Sequence, residues 1–562
     1  MKKLRRMFSL PLLVKELTER SARWRTYGAR VLFALGLYGF VALLLPASFW
    51  KPDERMLYGA FWHLGIGREV FEALVVVQCV GIALFLPAMM CGCITQEKER
   101  DSLVLLLLTE LRPWQILLQK YLGGLVPVLS FVLLGAPLMA VAYALGGVQD
   151  VRVIEQSVGI VLVVLQLGAL TLFCSVWCRT TVGALLSSYF LGALMYVAPP
   201  LIWFSIVRSY RPSSEHLAFI LTPPAVFELT SGDPLEDRAL ALLPSVLSIL
   251  LFLGLARFFF LRRAFLPRTD SLRRTFRRLD AFMQRANRLT GGVMIVREAS
   301  SLPGDSPIYW RETRTRALSR PHHLVRLLVV AESLTVLLCL LVFWNQGEAG
   351  PLIVVLGALV LLVVAVQSAN VIVSERVNQT LEVLLATSLS AAQIIREKER
   401  ALFRLLLVLA APLLTIFGLE YYMSYDLPYE SARMSLLILC TSVLAVVIYL
   451  PMIAWLAMTI GLWMRTRFRA IIVTLVILVT WCVLPVIVAS EISHSRGKWV
   501  SGFVSPVGVL IFAHEIEYRT KWDDYLPRKW PLITVNFACY GAVALGLRAL
   551  LLSRADRWLR RA

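Results

Sequence analysis

The sequence predicts an all-α, polytopic membrane protein with about twelve transmembrane helices, arranged as two parallel six-helix repeats. Hydrophobic residues make up 58% of the 562-residue chain, and the mean hydropathy is +0.71. Many windows reach the roughly 18–20 apolar residues that cross a bilayer. In addition, residues 94–120 match residues 372–398 without a gap, and a match of this length at one fixed offset indicates an internal duplication.

The predicted spans follow the apolar runs of the chain. In the first half we expect them at residues 31–49, 70–93, 120–146, 154–177, 182–207 and 240–261. In the second half we expect them at residues 326–344, 351–373, 401–423, 434–463, 470–490 and 531–552. An even number of spans in each half gives both halves the same orientation, which makes the repeat parallel.

The distribution of basic residues predicts the orientation. With both termini cytoplasmic, Lys and Arg are concentrated on the cytoplasmic side of this topology, whereas Asp and Glu are more numerous on the outer side. Because this is the positive-inside pattern, we expect a multi-pass protein of the cell's inner (plasma) membrane. The net charge of +20 is then an orientation signal. It favours membrane lipids as partners, and no nucleic-acid partner is predicted.

We expect the chain to have three parts. They are a first six-helix half, a basic cytoplasmic linker and a second six-helix half, at residues 1–261, 262–325 and 326–562. The linker is rich in arginine, which favours contact with anionic lipid. A specific role in docking a protein is the alternative.

An amphipathic segment precedes the first span. Residues 11–27 combine leucines with arginines in a pattern typical of an interfacial helix. A weaker counterpart lies at residues 307–323, where Glu312 and Arg316 repeat the spacing of Glu16 and Arg20.

The repeated stretch has the same parts in both copies: a charged cluster, a leucine-rich segment and a helix start. The matched pairs include Glu97 and Glu375, Leu103 and Leu381, Leu106 and Leu384, Thr109 and Thr387, Gln115 and Gln393, and Lys120 and Lys398. Pro113 suits the first position of the following helix in the first copy. In the second copy Ser390 and Gln393 predict a capping box.

These charges have two interpretations. They could simply mark where the membrane ends, but that role would favour Lys and Arg over Glu97, Glu99 and Glu375. Mixed charge beside an apolar ridge suits docking to another protein, and the predicted ridge consists of Leu103, Leu106 and Leu107 in the first copy and Leu381, Leu384 and Leu385 in the second.

Both stretches resemble the cytoplasmic loop of type-2 permeases of ATP-binding-cassette transporters, whose pattern is close to E-R/K-E-x-G-T-L-E-x-L-L-x-T-P-L-S. The first copy reads Glu97-Lys98-Glu99-Arg100-Asp101-Ser102-Leu103, and the second reads Glu375-Arg376-Val377-Asn378-Gln379-Thr380-Leu381-Glu382. The family glycine is Asp101 or Gln379 here, the family proline is Glu110 or Ser388, and Val377 replaces the second acid.

The resemblance implies the membrane-spanning permease subunit of an ATP-driven transporter, and we expect an exporter. A separate cassette ATPase, expected to be a dimer, would engage coupling helices at residues 94–110 and 372–388. The coupling residues implied are Glu97, Glu99, Arg100, Leu103, Glu375, Arg376, Leu381 and Glu382. On this view charge reversal at Glu97 and Glu375 together would uncouple transport without unfolding the protein.

The motifs argue against an enzyme in its own right. The sequence has no GxxxxGK[ST] phosphate loop, no HExxH and no GxSxG. We therefore expect no cofactor or metal bound by this chain, with ATP and Mg held by the partner ATPase. An ATP-independent transporter, a lipid scramblase and a membrane scaffold remain alternative functions.

One acid lies further inside a predicted span than any other. Glu332 lies in the seventh span, and a carboxylate inside a membrane is a candidate contact for substrate or protons. Its shallow position also fits an interface residue. Because the spans contain so few charges, they suit an apolar or amphipathic substrate better than a small inorganic ion.

Overall fold

The structure is a computed structural model that describes eleven ranges of the chain. These are residues 10–21, 24–44, 66–196, 235–264, 306–315, 321–344, 350–377, 379–423, 429–464, 466–491 and 526–560. Within these ranges the regular structure is entirely helical, in agreement with the predicted all-α class.

The chain divides into two compact units, residues 1–269 and 270–562. The helices of the first unit are α1 (Pro11–Ser21), α2 (Trp24–Leu44), α3 (Ile66–Met90), α4 (Gly92–Glu99), α5 (Leu103–Leu107), α6 (Pro113–Ala144), α7 (Asp150–Trp177), α8 (Thr181–Tyr196) and α9 (Leu235–Ala264). Helix α3 packs against α6 and α7, and α9 packs along α7.

The second unit has its elements in a similar order. They are α10 (Pro307–Thr315), α11 (Pro321–Trp344), α12 (Gly350–Val377), α13 (Leu381–Leu385), α14 (Ala391–Met423), α15 (Tyr429–Trp463), α16 (Arg467–Glu491), α17 (Leu526–Ser553) and α18 (Ala555–Arg560). Helix α10 lies inside the predicted linker, 262–325, yet it packs against α14. It is therefore an integral part of the second unit.

Nine helices in the described ranges are long and apolar enough to cross a membrane, which is the architecture of a multi-pass membrane protein. Each of the predicted spans coincides with a helix, although the described parts of α8 and α16 are shorter apolar segments and α2 is not among the nine. The ends of the predicted spans 31–49 and 182–207 lie outside the described residues.

One helix crossing shows why small residues are needed in the packed interior. A Cβ on Gly461 in α15 would lie 2.6 Å from the carbonyl oxygen of Ala369 in α12. At the matching crossing in the first unit, the Ser175 hydroxyl donates to the carbonyl oxygen of Cys91 over 2.8 Å. Small side chains allow backbones to approach closely in membrane proteins.

Ser175 also contacts the junction between α3 and α4. Cys91, between the two helices, has helical backbone angles (φ −56°, ψ −27°), so α4 continues on from α3. The hydroxyl oxygen of Ser175 accepts hydrogen bonds from the N–H groups of Ile94 and Thr95, at 3.0 and 3.2 Å. In the second unit α12 runs without interruption past the same point.

The predicted orientation can be tested by labelling introduced cysteines. Glu110 and Ser388 are exposed in the two repeated stretches, whereas Gln149 is exposed in the connection at the other end of α6. We expect Glu110→Cys and Ser388→Cys to react with an impermeant maleimide only in inside-out vesicles, and Gln149→Cys to react only in right-side-out cells. Labelling above the background of the unchanged protein is measured, and reaction of all three from one side would contradict the topology.

Candidate functional site

The repeated stretches have the same backbone path. In each, a helix ends in a residue with positive φ, Asp101 at +54° and Gln379 at +57°. The next N–H, of Ser102 or Thr380, donates over 3.0 Å to the carbonyl oxygen five residues earlier, of Glu97 or Glu375. This is a Schellman motif, which prefers glycine at the positive-φ position.

A hydroxyl fixes the side chain of the first acid in both stretches. Ser102 Oγ donates to the Glu97 carboxylate, and Thr380 Oγ1 donates to the Glu375 carboxylate. The short helices α5 and α13 begin at the residue after each hydroxyl. The acid is therefore oriented by the same turn that aims the short helix.

In the first unit a lysine joins this acid to the N-terminal helix. Lys120 Nζ lies 2.6 Å from Glu16 Oε1 of α1 and 3.2 Å from Glu97 Oε1 of α4. The lysine side chain is buried, Glu16 is largely buried, and Glu97 is about a quarter exposed. One ammonium group on α6 thus connects two other helices.

The second unit repeats this arrangement in a more deeply buried form. Lys398 Nζ lies 2.6 Å from Glu312 Oε1 of α10 and 2.8 Å from Glu375 Oε1 of α12. Arg311 adds a contact of 2.8 Å to Glu375. We call these two groups, Glu16–Lys120–Glu97 and Glu312–Lys398–Glu375, the lysine clusters.

The residue before each lysine holds the start of α1 in the first unit and of α10 in the second. Gln119 Oε1 accepts hydrogen bonds from the N–H groups of Leu12 and Leu13, at 2.9 and 3.3 Å. Glu397 Oε2 accepts them from Ile308 and Tyr309, at 2.8 and 3.1 Å. These N–H groups belong to a first helical turn and have no partner within the helix.

Lys98 and Arg376 bind the end of a membrane helix. Lys98 Nζ donates to the carbonyl oxygens of Ser175, Val176 and Cys178 at the end of α7. In the second unit Arg376 donates to Leu462 and Met464 at the end of α15, at 3.0 and 2.7 Å. A cation is favourable at a helix C-terminus. Burial raises the pKa of the Cys178 thiol, so this group stays neutral beside Lys98.

Glu99 holds the next helix in the first copy, a contact that Val377 at the matching position cannot make. Its Oε1 accepts a hydrogen bond of 2.8 Å from the N–H of Thr181, the first residue of α8. Val377 occupies the matching position in the second copy and is exposed. Arg100 is exposed at the end of α4.

The apolar ridge proposed from the sequence is buried only in part. Leu103 and Leu381 are only 3% and 6% exposed, and Leu384 packs with Ile308 and Ile394. Leu103, Leu381 and Leu384 therefore anchor the short helices, whereas Leu106, Leu107 and Leu385 are half-buried. The exposed side chains are instead Val104, Leu105 and Leu108 on the first stretch and Glu382 and Val383 on the second.

Glu332 is half-buried in α11. Its Oε2 is buried, and no hydrogen bond to it is found within the described part of the chain.

In the same ranges no group of three or more His, Cys, Asp or Glu side chains could hold a metal ion.

Comparisons with known proteins give no relative to reason from. No protein-family model matches this chain, and no curated protein is significantly similar to it. The function must therefore be inferred from the residues and contacts themselves.

Several residues of the site were not singled out from the sequence. Lys120 and Lys398 belong to the repeat, and Glu16 and Glu312 to the weaker match, but their pairing depends on contacts between helices. Their recurrence within both copies was the available signal.

Loss of one lysine should destabilise the second unit strongly. Lys398→Met would leave Glu312 and Glu375 without their shared ammonium group, and breaking a buried ion pair costs about 3–5 kcal/mol. We expect a fall of several degrees in the melting temperature of the detergent-solubilised protein. Lys15→Met is the matched control because Lys15 is exposed. Its surface ion pair with Glu19, at 3.9 Å, contributes under about 1 kcal/mol to stability. Equal falls in melting temperature for the two substitutions would contradict a stabilising role for the Glu312–Lys398–Glu375 cluster.

Charge reversal at Glu97 and Glu375 is now expected to act through the same contacts. A lysine in place of Glu97 would face Lys120, whose ammonium group is 3.2 Å from the carboxylate it replaces. We therefore expect reversal to disturb the fold, where the sequence alone suggested a selective loss of coupling.

The positive-φ turns give a second stability prediction. A non-glycine residue in this region costs roughly 1–2 kcal/mol, so Gln379→Gly should raise the melting temperature or leave it unchanged. Gln379→Val should lower it, because a β-branched residue is strained at this φ. If the glycine variant melted below the valine variant, the Schellman assignment would be wrong.

Proposed function

We propose that this chain is the membrane-spanning permease of an ATP-driven transporter, with α5 and α13 as the sites where a separate ATPase dimer engages it. One observation carries the proposal: two stretches 278 positions apart share a sequence pattern, a Schellman turn and a lysine cluster. Two like sites on one chain fit a partner that presents two like surfaces.

Exposed side chains on the short helices and directly after α5 support docking. Leu105, Leu108 and Val383 are 68%, 78% and 68% exposed. They lie beyond the last turn of α4 or α12, at the end of the unit where charged residues gather. Exposed apolar side chains surrounded by charged ones are typical of an interaction site.

The buried contacts support transmission of force. A partner that pushes on α5 acts through Leu103 and the Ser102–Glu97 contact on Lys120, and through Lys120 on α1 and α6. Because interiors are close-packed, elements joined by buried contacts move together. Closure of the ATPase would in this way move the membrane helices of each unit and switch access to the substrate path.

The wider proposal includes the parts that the sequence predicts. The chain has twelve spans in two duplicated halves, cytoplasmic termini and an inner-membrane location. It exports an apolar or amphipathic substrate, and ATP and Mg are bound by the partner alone. Glu332, with one buried carboxylate oxygen, is the candidate contact on the substrate path.

The docking surface can be tested without knowing the substrate. Leu105→Asp together with Val383→Asp places a charge on each short helix while leaving the buried leucines intact. We expect the variant to fold and to lose the ATPase that copurifies with the tagged wild-type chain in mild detergent. Val151→Asp is the control, since Val151 is exposed near the opposite end of its helix bundle.

Each outcome separates the candidate functions. A stoichiometric ATPase that is lost only from the docking variant supports the permease. If wild-type protein purifies intact and without any ATPase, but still moves lipid or solute in vesicles, then an ATP-independent transporter or scramblase replaces it. A different soluble partner that is lost from the docking variant would favour a scaffold.

A further inference from the structure

Three arginines form a ladder on α14. Arg396, Arg400 and Arg404 are spaced four residues apart, so they lie on one side of the helix, about one turn from each other. Arg396 and Arg400 are exposed, and Arg404 is half-buried.

The carboxylates beside these arginines are already used elsewhere. Glu397 accepts hydrogen bonds from the first turn of α10, and Glu399 binds Arg548 at 2.9 Å and the Trp455 indole at 3.0 Å. Within the described ranges no ion pair joins any arginine of the ladder to a carboxylate. Among the described residues, the positive charge of the ladder is therefore not balanced by a contacting carboxylate.

The ladder continues a lipid-facing stripe. Leu407 and Leu414 follow on the same side of α14 and are exposed, Leu407 at 71%. In a membrane helix such leucines face acyl chains, so the arginines about one to three turns before Leu407 lie towards the headgroups. Arg404 also lies 4.8 Å from the ring centre of Tyr309 on α10, and tyrosine is typical of the membrane interface.

The first unit lacks this feature. Shifting by the repeat offset places Leu118, Leu122 and Val126 of α6 at the ladder positions. Helix packing and the lysine clusters are similar in both units, so the fold itself does not require arginines here. The positive-inside rule also does not demand three arginines on one side of one helix.

We propose that Arg396, Arg400 and Arg404 bind the phosphate group of an anionic phospholipid, on the second unit only. Guanidinium groups match phosphate oxygens in geometry and charge, and basic clusters at the cytoplasmic end of membrane helices attract anionic lipid. Tyr309 holds Arg404 in place through a cation–π contact. The proposal rests on the membrane location and is independent of any ATPase.

Lipid titration of the purified full-length protein tests this site. Native mass spectrometry would count phosphatidylglycerol bound to the wild type, to Arg396→Gln/Arg400→Gln and to Arg100→Gln/Arg112→Gln, a control that removes the same charge from exposed positions on the first unit. We expect the ladder variant to bind the tightest lipid on the order of tenfold more weakly and the control to match the wild type. Equal losses in both variants, or none in the ladder variant, would overturn the proposal.

Two further measurements identify the chemical group that the arginine ladder binds. Phosphatidylcholine should bind the wild type and the ladder variant alike, since it has no net charge to read. Glycerol phosphate, a soluble headgroup, should fail to displace phosphatidylglycerol at millimolar concentration. Displacement by glycerol phosphate would assign the ladder to free phosphate compounds and contradict a lipid site.

Discussion

A buried lysine between two carboxylates is the interaction on which each unit depends. Lys120 and Lys398 are each in contact with a helix that precedes the membrane spans and with the acid that begins the repeated stretch. An ammonium group with two carboxylate partners offsets its own desolvation, whereas any single member left alone would be strongly unfavourable. The clusters therefore require three elements to be in place together, and they fix the position of the short helix relative to the bundle.

This constraint separates two kinds of residue within one motif. Glu97, Glu375, Leu103 and Leu381 point inward and set the position of the short helices. Lys98 and Arg376 fasten the same stretch to the end of a neighbouring membrane helix. What remains for a partner is the outer side of α5 and α13. A substitution in the repeated stretch can thus weaken the buried contacts that position the short helix, or it can remove a contact with a partner. Only the second kind of substitution leaves the fold unchanged.

The sequence predicted the elements well, because long apolar runs and a fixed-offset repeat are local signals. Pro113 begins α6 as expected, and Ser390 Oγ accepts the N–H of Gln393 at the start of α14. The direction of the leucines could not be read in the same way. The direction of these side chains depends on the positive φ of Asp101 and Gln379. A glycine at either position would have predicted such a turn, whereas Asp and Gln do not.

The lysine clusters were not predicted from the sequence, for a different reason. A lysine near a helix start normally indicates a membrane boundary, and only the tertiary fold brings Glu16 to Lys120 or Glu312 to Lys398. Helix α10 was likewise placed in a linker, since its contacts with α14 are made far along the chain.

Photo-cross-linking in the native host tests whether an ATPase docks on α5 and α13. A benzophenone amino acid at Leu108 and, separately, at Val383 samples the two exposed surfaces, and Leu133, exposed on α6 within a span, provides the lipid-facing control. We expect positions 108 and 383 to cross-link to a cassette ATPase and position 133 not to do so. Cross-links from positions 108 and 383 to lipid alone, with the protein intact and correctly inserted, would contradict this expectation.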